Sequence, residues 1–97
     1  MKSAERHDPE GLAIAALLFI AAETETLSRF LELTGLDPGD VRAAAADQRF
    51  LLAVLDFLMA DEPLLLAFAT SENLAPETIV SAHRKLHKAV DPAHESY

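Results

Sequence analysis

The chain has 97 residues, enough for one domain that buries a core without covalent staples. It has no cysteine, which excludes disulfides, thiol catalysis and thiolate metal sites. Sixteen acids against eight bases give a net charge of −8, which favours solubility and repels a phosphate backbone, so no nucleic-acid partner is expected.

Ala and Leu dominate the apolar 51% and β-branched residues are few, so the elements are predicted to be helices throughout. Residues 1–7 are expected to be a flexible arm. Asp8 caps the first helix and Pro9 starts it, with an end near Ala22. Its apolar run, residues 11–22, would span roughly 18 Å as helix, too short for a bilayer, so no membrane partner is expected. The preceding MKSAERHDPE has mixed charge where a signal peptide carries a basic leader, and a cytoplasmic protein is expected.

An acidic turn at Glu23–Thr24 opens the second helix, whose stripe is Leu27, Phe30, Leu31 and Thr34 and whose end is Gly35. Asp37 is read as the cap of a short third helix, with Pro38 at its first position and Asp40 close behind, where acids suit the helix dipole. Asp47 caps the fourth helix, to about Ala60. Asp61 caps the fifth, with Pro63 in its first turn, and Asn73 closes it. Pro76 starts the sixth, with stripe Ile79, Ala82/His83, Leu86 and Val90, and Asp91–Pro92 ends it. Residues 92–97 are expected to be flexible. The first and fourth helices are the apolar centre, predicted to pack together and to be covered on most sides.

The chain carries the same punctuation twice. Residues 12–44 align with 50–82 without gaps, placing Phe19 on Phe57, Phe30 on Phe68, Leu36 on Leu74 and Pro38 on Pro76. Gly35 falls on Asn73, the two residues that most easily take a left-handed backbone at a helix end. The expected fold is therefore all-α: one compact six-helix bundle of two pseudo-repeated three-helix units, residues 11–48 and 49–86.

The stretch FLELTGLDPGDVR at 30–42, followed by FLLAVLDFLMADEPLLLAFA at 50–69, resembles a family of short acidic helical proteins from alphaproteobacteria. That family is a domain of unknown function of about ninety residues, one domain's length. The carrying motifs are the corner Thr34–Pro38, Arg42, and the run Val54–Leu58. The turn at Glu23–Thr26 departs from the Asp-Pro the family pattern suggests there. The resemblance implies a helical, cytoplasmic protein and no established activity.

Candidate sites are few. His83 and His87 stand four apart on the sixth helix, the spacing at which two imidazoles share a face and can bind Zn²⁺, with His7 and His94 as loose completions. Arg84, Lys85 and Lys88 oppose a cation there, so no metal or cofactor is expected. Asp56, within Val54–Leu58, has the position of an acid–base residue but no second motif partner, and a structural ion pair with Arg42 or Arg49 is expected instead. Helix 27–34, Gly35 and helix 38–45 have helix-turn-helix rhythm, but the second helix offers one Arg and a run of Ala where base reading needs Arg, Lys, Asn or Gln.

One helix face stands out. The polar strip of the fourth helix is Arg49, Ala53, Asp56 and Ala60, and the repeat maps it onto Gly11, Ala15, Leu18 and Ala22. An apolar face where the equivalent helix meets water is the candidate interface, for a protein partner or for self-association. Gly35, Pro38, Arg42, Asp56, Asn73 and Pro76 are read as structural. The expected function is that of a non-enzymatic cytoplasmic interaction or adaptor protein. The alternatives are an acidic helix-turn-helix regulator and a metal-dependent or acid–base enzyme built on His83/His87 or Asp56.

Overall fold

The computed structural model describes residues 8–91. The arms expected to be flexible, with His7 and His94, lie outside the described residues.

The carboxylate of Asp8 accepts from the Gly11 N–H at 3.2 Å, and Pro9 occupies the first position of α1, Pro9–Ala21. One orphan donor is thereby satisfied, and the proline contributes none. The chain then bends by 118° into α2, Thr24–Thr34. Gly35 ends α2 with φ +76°, its N–H bonded to the Leu31 carbonyl at 2.8 Å. The Thr34 hydroxyl donates to the Phe30 carbonyl at 3.1 Å and accepts from the Leu36 N–H at 3.4 Å, which ties the corner to the helix it leaves.

After the corner comes a 3₁₀ turn, Pro38–Asp40, and then α3, Val41–Ala44, a single α-turn. Asp37 stands at the cap position as predicted, but its side chain makes no capping bond. The reason is local: the Asp40 N–H is already bonded to the Asp37 carbonyl at 2.9 Å, the tight pattern of a 3₁₀ turn.

α4, Gln48–Met59, starts where Asp47 accepts from the Arg49 N–H at 2.9 Å. α5, Glu62–Glu72, starts where Asp61 accepts from the Leu64 N–H at 3.2 Å. Asn73 closes α5 with φ +59°, the second left-handed corner, and Pro76 starts α6, Pro76–Val90. No strand occurs among the described residues. The two halves differ in their third element, which is a 3₁₀ turn and one α-turn in the first and the fifteen-residue α6 in the second.

α1, α4 and α6 pack against one another and enclose the core. α1 contributes Leu12, Ala13, Ala16, Leu17 and Ile20, α4 contributes Phe50, Leu51, Val54, Leu55 and Leu58, and α6 contributes Ile79, Ala82 and Leu86. α5 lies against α4 and α6 and sends Phe68 inward, edge-on to Phe19 of α1 at 5.4 Å. α2 lies against α1 and is anchored by Phe30, which meets Phe50 at 5.7 Å and Phe57 at 5.2 Å, both edge-on. Such edge contacts suit the ring quadrupoles and add to the area buried.

α1 and α4 do pack together, as predicted. Both are covered on most sides, with one strip of each left in water: Gln48, Arg49 and Asp56 on α4 and an apolar one on α1. Ile14, Leu18, Ala21 and Ala22 are exposed, since no described helix lies over that side.

Candidate functional site

Two surfaces carry the residues singled out by sequence. The first is the outer side of α1. Gly11 and Ala15 are half-buried, Ala22 is exposed, and Leu18 is 66% exposed. Ile14, at 41%, and Ala21 extend the strip. On α4 the corresponding residues Arg49, Asp56 and Ala60 are exposed and Ala53 is half-buried. The same strip thus faces water in both helices, and it carries charge only on α4. At the base of the two helices Glu10 and Gln48, also corresponding positions, are joined by a hydrogen bond from Gln48 Nε2 to Glu10 Oε2.

The second surface runs from α2 across α4 to α6. A groove of about 310 Å³ is lined by Phe30, Leu33 and Thr34 of α2 and by Ala53, Asp56, Phe57 and Ala60 of α4. Leu33 stands 75% exposed at its lip. Asp56 Oδ1 lies 2.6 Å from His83 Nε2, and the His83 and His87 rings stack with centroids 6.2 Å apart. Asp56 and His83 were separate candidates in the sequence, 27 residues apart, and the fold brings them together. The partner of Asp56 is therefore His83, not Arg42 or Arg49 as expected. α4 presents Asp56 toward α6, whereas Arg42 sits on the single turn of α3 and Arg49 projects from the first turn of α4.

A carboxylate on one ring nitrogen fixes an imidazole and leaves the other nitrogen for a proton or a ligand. No serine or threonine hydroxyl is bonded to this pair among the described residues. Nor do the described residues hold a cluster of three side chains able to ligate a metal ion. The helix-turn-helix reading finds α2 and its glycine in place. Its recognition helix, however, is the 3₁₀ turn Pro38–Asp40 followed by the single turn of α3, and Arg42 is its one side chain of a base-reading type.

Sequence reasoning missed Arg29 and Leu33. Arg29 reaches Asp61 at 3.5 Å and lies 5.5 Å over the Phe57 ring, linking α2 to the α4–α5 junction. Both residues fall off the apolar stripe of α2, and the only signal was a large exposed Leu at a position the stripe does not use. The structural residues are at the corners. Gly35 and Asn73 are left-handed, Pro38 begins the 3₁₀ turn and Pro76 begins α6. Arg42 is exposed in the last turn of α3.

No single helix among the described residues is long and apolar enough to cross a membrane. A family model described as "Protein of unknown function (DUF3572)" matches residues 6–89. No curated protein and no solved structure matches the chain.

Proposed function

The chain belongs to the DUF3572 family of proteins of unknown function, and from its surface we propose that it is a non-enzymatic protein-interaction module of the cytoplasm. One observation carries the reading. α1 exposes Ile14, Leu18, Ala21 and Ala22 side by side, with Leu18 two-thirds in water. Single exposed apolar residues are ordinary, and what supports the reading is that these four are contiguous on one uncharged helix face of a small acidic chain. The test is Leu18→Asp, which copies the residue that α4 holds at the corresponding position. The variant should fold, and affinity capture from the native extract should lose the proteins retained by the wild type. A folded variant that captures the same proteins would remove the reading.

The contact between Asp56 and His83 favours a second reading, acid–base catalysis, in which the carboxylate orients the imidazole and the free ring nitrogen takes a proton from water. Under that reading, turnover of a simple test ester such as p-nitrophenyl acetate falls at least tenfold in His83→Gln and in Asp56→Asn but not in His87→Gln. Equal rates in all three variants leave the interaction reading alone.

A further inference from the structure

The groove between α2 and α4 is apolar apart from Thr34 and Asp56. Phe30 is buried beneath it, Ala53, Phe57 and Ala60 line its α4 wall, and Leu33 stands at its lip. The Thr34 hydroxyl is engaged by the backbone, donating to the Phe30 carbonyl and accepting from the Leu36 N–H. Asp56 is therefore the lining side chain with polar capacity to spare. His83 holds its Oδ1 at 2.6 Å, yet the side chain is still 62% exposed, so Oδ2 remains an acceptor. Among the described residues no cation lines the groove. Arg29, beside it, is engaged by Asp61 at 3.5 Å and by the Phe57 ring at 5.5 Å. The groove thus offers one fixed negative charge on an apolar concavity of about 310 Å³, at the lower end of the range of small-molecule sites.

We propose that this groove binds a small organic cation, an ammonium group carried on a compact aromatic or branched apolar body. The body displaces water from Leu33, Phe57 and Ala60, and the ammonium donates to Asp56 Oδ2. A neutral body gains the apolar contact alone, and an anion meets the carboxylate with nothing to offset it. The contact with His83 pins the carboxylate in advance, so less freedom is lost when a ligand arrives. The volume holds one compact body rather than the row of side chains by which a partner helix docks. The inference stands apart from the interaction reading of α1, and it uses Asp56 as an anchor rather than as half of an acid–base pair.

Phenethylammonium, phenethyl alcohol and phenylpropanoate are close in shape and differ in charge. Titrating each into the full chain at fixed pH and ionic strength, followed by the backbone amides in NMR, tests the proposal. The groove is open to water, so these minimal probes should bind in the millimolar range. Saturable shifts should centre on Leu33, Thr34, Asp56 and Phe57, with the ammonium about tenfold tighter than the carboxylate and the alcohol between them. Asp56→Asn should reduce the ammonium to the affinity of the alcohol and leave the alcohol unchanged. Glu77→Gln, which removes the same charge from the exposed start of α6, should change neither. Leu33→Ser, at a position 75% exposed, should fold normally and weaken the ammonium and the alcohol alike. His83→Gln keeps a donor for Oδ1 and should bind the ammonium as the wild type does, although acid–base catalysis requires it to lose ester turnover, so the two ideas fail separately. Leu18→Asp should leave the titration unchanged whatever it does to captured proteins. Equal affinities for the three probes, equal losses in Asp56→Asn and Glu77→Gln, or shifts that spread over the chain without saturating overturn the proposal.

Discussion

At Gly35 the constraint is in the backbone alone. Its φ is +76°, and a Cβ placed there would meet nothing within 4 Å. A substitution is therefore strained without being crowded. Gly35→Val should cost about 1–2 kcal/mol in denaturant unfolding, and Gly35→Asn clearly less, because Asn tolerates the left-handed region. Equal stabilities would mean that the corner is held by something other than its dihedrals. Phe30 is the opposite case, since its value lies in neighbours. It is fully buried and touches both Phe50 and Phe57, so Phe30→Ala should cost about 3–5 kcal/mol, read as a lower urea midpoint. Gly35, Asn73 and Phe30 were legible in the sequence, because a left-handed cap and a stripe aromatic each demand a particular residue type. Arg29 was not. Its contacts with Asp61 and Phe57 depend on where α2 crosses the end of α4, which no local pattern encodes.

Among the elements, two Asp-Pro pairs look alike and behave differently. Asp8 caps α1 through its side chain, while Asp37, before Pro38, leaves the donors of its turn to the backbone. Gly39, a poor helix former, sits in that turn and favours the short 3₁₀ form over a longer helix. Asp61→Ala and Asp47→Ala should each cost about 1 kcal/mol in thermal unfolding, the usual value of an N-cap bond, and Asp37→Ala distinctly less. An equal loss at Asp37 would contradict the backbone account. The starts of α1, α4, α5 and α6 were readable because proline and capping acids act within one turn. The covered side of α1 was not. A helix apolar all round has no preferred face of its own, and its neighbours decide which residues are left in water. The candidate strip was reached only by reading α1 against the charged strip of α4.

For the molecule as a whole, charge and helix length bear on DNA together. Sixteen acids outnumber the eight cations that could displace counterions, and α3 is a single turn. Duplex DNA should keep its mobility in the presence of micromolar protein even at low salt, and a shift that disappears with added salt would revive the regulator reading. The six-helix, all-α plan was legible at this scale, since composition and the repeated corners both point to it. The juxtaposition of Asp56 and His83 was not, because it arises from the packing of α6 on α4 and leaves no mark at either position.

The mutual packing of α1, α4 and α6, with α2 held at the margin by Phe30, has a kinetic consequence. Amide protons deep in the three central helices should exchange only when the whole chain unfolds, while those of α2 should exchange earlier, through an opening of that helix alone. Native-state hydrogen exchange at increasing denaturant would separate the two classes, and a single common opening energy would contradict the hierarchy. An opening of this kind uncovers Phe50 and Phe57 and leaves the three-helix centre standing. The molecule then has a minor state, reached without global unfolding, in which its greasy surface is larger than in the resting fold, and α2 acts as the cover that sets how often that state is visited.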